Sequence, residues 1–161
     1  MGMVVLESHE YYMGLALEEA RAAFEKGEVP VGAVIVIGSD VVSRAYNLKE
    51  QLKDATAHAE MLVINRAVEK LGHWRHLQEA TLYVTLEPCP MCAGAIVQSR
   101  IKTLVYGAAD PKAGAVSSLM NLVQDPRLNH RVEVISGVLE EECSELLKRF
   151  FQKLRNPVIF G

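Results

Sequence analysis

HAEMLVINRAVEKLGHWRHLQEATLYVTLEPCPMC, residues 58–92, decides how the rest of the chain folds. It opens with His58-Ala59-Glu60 and closes with Pro88-Cys89-Pro90-Met91-Cys92. Between these ends Met61, Ile64, Val68 and Leu71 recur at helical spacing until Gly72 stops the pattern, and residues 81–86 form an apolar run of strand character. Residues 72–79 read as a loop. The order is therefore helix, loop, strand and the start of a second helix, with Pro90 in the first helical position, where a missing N–H is no loss. Cys89 caps that second helix and Cys92 lies one turn on. Thiolates at a helix N-terminus gain from the positive end of its dipole, which favours the deprotonated form a metal requires. His58 must lie at or before the first turn of its own helix. Residues two apart in a regular helix point roughly 200° away from each other, and otherwise His58 and Glu60 could not address one point.

One imidazole and two thiolates are ligands of the kind zinc prefers, and no convincing fourth ligand accompanies them. Structural zinc is usually closed by four protein ligands, whereas three leave a position open for water. The Cys-x-x-Cys layout after a strand also fits a redox dithiol. A redox dithiol gives no reason for an upstream His-x-Glu, so the combined pattern reads as one catalytic zinc per chain on His58, Cys89 and Cys92. Zinc lowers the pKa of a water it binds from about 16 to about 7. Glu60, a carboxylate that need not be a ligand, can accept the water proton, deliver it to a ring nitrogen and later protonate a leaving amine. Such a site suits hydrolytic loss of ammonia from an amino-substituted aromatic ring. Peptide hydrolysis fits less well, because His-Glu-x-x-His is absent.

Working outward, residues 8–26 carry Tyr12, Ala16, Ala20 and Ala23, with Met13, Leu17 and Phe24 beside them, at helical spacing. Ser8 is placed to cap that helix and Gly27 to end it. Residues 31–37 are too apolar to alternate and read as a strand buried on both faces; Gly38-Ser39-Asp40 turns it into a second strand through Val41, Val42 and Tyr46. Residues 47–57 are polar and irregular. Beyond Cys92 the helix runs to residue 99, residues 102–106 form a strand, 108–114 a loop, 117–123 a short helix and 132–135 a last strand. Residues 139–155 form a terminal helix with Leu139, Cys143, Leu146, Phe150 and Leu154 in one stripe, Cys143 being a small core residue. A hairpin followed by alternating helices and strands predicts a five-stranded mixed sheet with helices on both faces, a three-layer α/β/α fold in a single domain over residues 1–161.

Half of the residues are hydrophobic and 23% charged, as in ordinary soluble proteins. No apolar run approaches a membrane span and the N-terminus lacks a basic leader, so no membrane association is expected. Three cysteines, two of them assigned to metal, leave no disulfide framework and point to the cytoplasm. A formal net charge of -3 argues against non-specific nucleic-acid binding but leaves room for a local basic patch. The densest such patch is residues 148–155, with Lys148, Arg149, Lys153 and Arg155 and no acid, while Glu140, Glu141, Glu142 and Glu145 crowd the start of the same helix. Matching to the helix dipole accounts for this layout without any nucleic acid. A second reading adds that a folded RNA is gripped by its phosphates. Of Phe150 and Phe151, one then faces the core and the other stacks on an unpaired base.

His58-Ala59-Glu60 with Pro88-Cys89-x-x-Cys92 resembles the signature of the cytidine-deaminase-like zinc deaminases. The blocks Gly27-Glu28-Val29-Pro30-Val31-Gly32-Ala33, Asp54-Ala55-Thr56-Ala57-His58-Ala59-Glu60, Leu82-Tyr83-Val84-Thr85-Leu86-Glu87-Pro88-Cys89 and Asn129-His130-Arg131-Val132-Glu133 resemble, over nearly the whole chain, the bacterial tRNA-specific adenosine deaminases. The resemblance implies a cytidine-deaminase-like fold, zinc on His58, Cys89 and Cys92, and proton transfer by Glu60. It implies that Asn47 hydrogen-bonds a flipped base, that the backbone around Ala59 helps to hold it, and that Asp110 and Lys112 touch neighbouring nucleotides. It further implies conversion of the wobble adenosine of a tRNA anticodon stem-loop to inosine, by a homodimer whose interface includes the helix after Cys89. Ala55 departs from the family, which commonly has proline there, and should loosen the loop leading to His58. Two other readings stand beside this one. One is a free-base or nucleotide deaminase of guanine or cytosine type; the other is a non-catalytic zinc-stabilised binding protein, which Glu60 disfavours.

Overall fold

The computed structural model describes residues 2–156, with side chains from residue 8 onward. Helix α1 (Gly2–Glu25) precedes a hairpin of β1 (Gly32–Ile37) and β2 (Asp40–Tyr46). A single turn of helix, α2 (Lys49–Leu52), leads to α3 (Ala59–Leu71), a 3-10 helix (Trp74–Glu79), β3 (Thr81–Leu86), α4 (Pro90–Gln98), β4 (Thr103–Ala108), β5 (Glu133–Ile135) and α5 (Glu140–Arg155). The strands lie in the order β2-β1-β3-β4-β5. Strand β1 is antiparallel to β2 and β3, whereas β3, β4 and β5 run parallel, which gives the expected five-stranded mixed sheet.

Period-two alternation sends successive side chains to opposite faces of this sheet and builds two cores. Ala33, Ile35, Leu82, Val84, Leu104 and Tyr106 pack with Ala59, Val63, Ile64 and Ala67 of α3 and with Ala93, Ile96 and Val97 of α4. Val34, Val36, Tyr83 and Val105 pack on the other side with Met13, Ala16 and Leu17 of α1 and Cys143 of α5. Strand β1 is thus covered twice, which is why its sequence does not alternate. The small face of α1 permits a close approach. A Cβ on Gly32 would fall onto the backbone of Ala16 and Ala20, so glycine is the residue that lets α1 lie on β1. Helix α5 settles on β4 in the same manner, with Cys143 filling the space a side chain on Gly107 would take.

Several boundaries differ from expectation. Helix α1 starts at Gly2, so Ser8 lies inside it and is not its cap. The buried face of α3 is Ala59, Glu60, Val63, Ile64 and Ala67, with Met61 only half buried; the pattern of large side chains overlooks the two alanines that pack closest. Residues 74–79 coil into the 3-10 helix, around a fully buried Leu77. Residues 117–123 form turns rather than a helix: the N–H of Leu122, which a helix would give to the carbonyl of Ser118, donates to the carbonyl of Ala115 (2.9 Å). Leu154 is 62% exposed, so the buried stripe of α5 ends at Phe150.

Candidate active site

Two helix mouths meet at one end of the sheet. His58 is the extended N-cap residue of α3 (φ -74°, ψ 152°), which sets it ahead of the first turn, as the angular argument requires. Cys89 is the extended N-cap residue of α4 (φ -74°, ψ 173°), with Pro90 following and Cys92 one turn on. Nδ1 of His58 lies 3.6 Å from Sγ of Cys89 and 3.5 Å from Sγ of Cys92. All three ligand atoms fall within 4.8 Å of one another, and this is the one such group among the described residues. The spacing can be tested against a metal. Tetrahedral zinc, with bonds of about 2.0–2.1 Å to nitrogen and about 2.3 Å to sulfur, sets nitrogen and sulfur about 3.5 Å apart. Both nitrogen–sulfur distances match that spacing, and the donor set of one imidazole and two thiols is one zinc prefers.

The protonation pattern suits a cation as well. The Cys89 thiol is pulled down to about 4, first because Cys92 donates a hydrogen bond to it and then, against the cost of burial, because of His58. Cys92 is driven up, as the donor in that bond and by its own burial. His58 is raised by its hydrogen bond to Cys89. The carboxyl of Glu60, 4% exposed, is pushed up to about 7 by burial, which outweighs its hydrogen bonds and the attraction of His58. A divalent cation here would complete the charge balance and hold both sulfurs as thiolates.

Above this floor opens a cavity of about 200 Å³, lined by Val29, Asn47, Lys49, His58, Ala59, Glu60, Asp110 and Ala113 among others. Asn47 is 6% exposed, donates from Nδ2 to the carbonyl of Val29 (3.3 Å) and accepts the N–H of Lys49 on Oδ1 (3.3 Å). It stands at the base of a loop that closes on itself, since Leu48 N–H donates to the carbonyl of Ala57 (3.0 Å). Asp54 tightens the far end by accepting from the N–H and hydroxyl of Thr56 (2.8 and 2.7 Å). These bonds tie the segment around Ala55 at both ends without a proline.

A second, larger depression of about 630 Å³ continues from the cavity past Asp110 and Ala113 to Lys112, Lys148, Phe151, Gln152 and Arg155. It separates the terminal-helix candidates by face. Lys148 and Phe151 line it, whereas Arg149 lies over the ring of Phe24 at 5.5 Å and Phe150 is 5% exposed with its ring against the same Phe24. Phe150 is thus the phenylalanine that faces the core, and neither it nor Arg149 lines the groove. Arg155, not among the site candidates, enters it, because 148, 151, 152 and 155 follow one helical face.

Sequence reasoning also passed over two buried acids. Glu28, fully buried, accepts the N–H groups of Glu50 (3.0 Å) and Gln51 (2.7 Å) and so ties down α2. Glu87, 2% exposed, accepts the N–H groups of Asp110 (3.0 Å), Val116 (3.1 Å), Ser117 (2.8 Å) and Ser118 (2.9 Å) and the hydroxyl of Ser118 (2.5 Å). Burial works to raise its pKa, but these bonds win and hold it at about 2. The available signal was an acid directly after a buried strand and directly before a proline.

A sheet with three parallel strands whose end is met by two helix mouths, one bearing His-x-Glu and the other Pro-Cys-x-x-Cys, defines the class of cytidine-deaminase-like deaminases. Residues 7–155 match the model of the MafB19-like deaminases. A tRNA-specific adenosine deaminase of Bacillus subtilis (strain 168) is 59% identical over 146 residues, 91% of this chain and 90% of the relative. A solved structure from a study of A-to-I editing by tRNA:A34 deaminases at the wobble position of transfer RNA superposes with a TM-score of 0.82 and 51% identity, covering 85% of this chain and 99% of that one. The guanine deaminase of Nitrosomonas europaea, at 24% identity, shares the fold, with a TM-score of 0.76 over 88% of this chain and 83% of that one. The chain belongs to the tRNA-specific adenosine deaminases of the MafB19-like deaminase family. Among the described residues no helix is long and apolar enough to cross a membrane.

Proposed function

We infer that this chain, as a single deaminase domain with one zinc ion, converts the wobble adenosine of a tRNA anticodon stem-loop to inosine in the cytoplasm. The observation that carries the reading is the convergence of the ligand atoms of His58, Cys89 and Cys92 within 4.8 Å, with His58 and Cys89 lining a cavity that the buried Glu60 also lines. The three ligands hold the zinc, which when bound supplies the Lewis acidity that makes water a competent nucleophile near neutral pH. Glu60 takes the proton of that water on its carboxylate as the water oxygen bonds to the amino-bearing carbon, and passes it to the adjacent ring nitrogen; it then moves the proton of the new hydroxyl to the amino group, so that the C–N bond breaks, ammonia leaves and the carbonyl of inosine forms. Asn47 and the backbone at Ala59 orient the base, and the buried walls keep bulk water from the reacting carbon.

The groove favours an RNA over a free base. Lys112, Lys148, Phe151 and Arg155 lie beside the cavity, where the nucleotides flanking a flipped base would run. A guanine- or cytosine-type deaminase has no use for such a surface. Pairing of two copies through α4 is supported by its half-buried face of Met91, Gly94 and Ala95, where a Cβ on Gly94 would meet nothing. The deciding experiment measures inosine formation on an anticodon stem-loop beside release of ammonia from free adenosine, cytidine and guanine. Turnover of a free base with none on the stem-loop would overturn the reading.

A further inference from the structure

We propose that Glu87 is the positioning residue that fixes the substrate-side wall of the cavity, by holding Asp110 in register with the metal-binding mouth of α4. The proposal rests on the cavity being the active site. Glu87 stands at the last rung of the β3–β4 pairing, its N–H donating to the carbonyl of Ala108 (2.8 Å), and two residues before Cys89. The same short stretch therefore ends the sheet, gathers the loop of residues 110–118 and delivers a metal ligand. The far end of the loop has other anchors, since the Ser117 hydroxyl is bonded to that of Tyr106 (2.9 Å) and Ala115 and Val116 are buried in the core, but the Asp110 end has fewer. Ala115 N–H reaches the carbonyl of Pro88 (2.8 Å), and Gly114 N–H and the side chain of Asp110 close a turn within the loop itself. Nor is there room for alternatives, because a Cβ on Gly114 would land on the Glu87 carboxylate.

The two carboxylate oxygens are used differently. Oε2 accepts the N–H groups of Val116, Ser117 and Ser118, whereas Oε1 accepts the N–H of Asp110 and the hydroxyl of Ser118. An amide keeps an acceptor at only one of these positions. In Glu87→Gln the oxygen stays with the three N–H groups, and the new NH2 faces the Asp110 N–H, donor against donor. The Ser118 hydroxyl can turn and accept instead. The substitution thus releases Asp110, one of the residues that line both the cavity and the groove, while leaving the far end of the loop in place.

The test compares wild type, Glu87→Gln and Ser118→Ala, all zinc-loaded, on an anticodon stem-loop. Glu87→Gln should raise KM about tenfold with kcat held within about threefold, the signature of lost positioning rather than lost chemistry. Its zinc content should stay at the wild-type value. Ser118→Ala removes a bond to the same carboxylate but leaves the Asp110 N–H bond, and should shift KM by no more than about twofold. Amide hydrogen exchange should be faster at Asp110 in Glu87→Gln and unchanged at Val116 to Ser118. A fall in kcat with unchanged KM, loss of zinc, or equal effects of the two substitutions would overturn the proposal. If wild type itself fails to turn over the stem-loop, the proposed function falls. The exchange pattern then judges Glu87 separately, and equal protection at Asp110 in the two proteins would refute the anchoring.

Discussion

Replacing Gly114 by alanine adds one carbon, and its cost can be worked from the surroundings. The new Cβ would sit closer to the Glu87 carboxylate than the 3.0 Å that real Cβ atoms keep, so one of the two must retreat by roughly 1 Å to reach ordinary contact. Backbone strain contributes nothing, since Gly114 is not among the residues with positive φ. The carboxylate accepts five hydrogen bonds at 2.5–3.1 Å, and a shift of that size takes the longer ones out of range. Bonds to a charged group contribute about 1.5–3 kcal/mol each, so losing two predicts a destabilisation of roughly 3–6 kcal/mol. Urea unfolding of the zinc-loaded protein measures it. The decisive comparison repeats Gly114→Ala in a Glu87→Ala background, where the carboxylate is gone and the added methyl should cost less than about 1 kcal/mol. The same loss in both backgrounds would refute the clash as the cause.

Other expectations follow from the same geometry. Glu60→Gln should retain one zinc per chain yet lose at least about a hundredfold in turnover, whereas Cys89→Ser should lose zinc; metal analysis beside the inosine assay separates the two, and zinc loss from Glu60→Gln would make Glu60 a ligand. Lys148→Glu with Arg155→Glu should lower the salt-dependence slope of stem-loop binding by about 1.5, against no change for Arg149→Glu, which sits on Phe24. Identical slopes for the two variants would move the RNA elsewhere. Tyr83, 3% exposed and hydrogen-bonded to His9, has its pKa pushed up to about 12 by burial and, secondarily, by Tyr12. Its neutral form favours the folded state fully below about pH 10, and that contribution is lost as pH rises towards 12, reaching about 1.4 kcal/mol at pH 11. The stability advantage of wild type over Tyr83→Phe should therefore shrink between pH 9 and 11; parallel curves would rule this out.

What could be read from residue order alone depends on how local the cause is. His58, Cys89 and Cys92 stand out because a metal demands particular atoms at particular spacings, and β1 because a strand covered twice must be apolar throughout. The mixed character of the sheet follows from the hairpin and the crossover helices, whereas its strand order is not read from the sequence. Glu87 and Glu28 do not stand out, because their meaning lies in N–H groups 22 to 31 residues away. The turns at 117–123 look helical because nothing in the local pattern shows that the N–H of Leu122 reaches past Ser118 to the carbonyl of Ala115. On α5 the basic cluster is plain in the sequence, but which bases face the groove depends on the rotation of the helix about Phe150 and Cys143, which packing decides.

The loop between β2 and α3 is sealed at its neck. Leu48 and Ala57 are hydrogen-bonded across it, so Asn47 on one side and His58 on the other are fixed by the neck and not by the length of what lies beyond. Residues 53–56 at the tip are exposed. Extra residues spliced in after Lys53 would bulge outward from the rim of the cavity, with an entropic cost that grows only as the logarithm of their number. The fold therefore offers a graft point, where a new recognition segment can be hung over the substrate without moving the groups that hold the base and the metal.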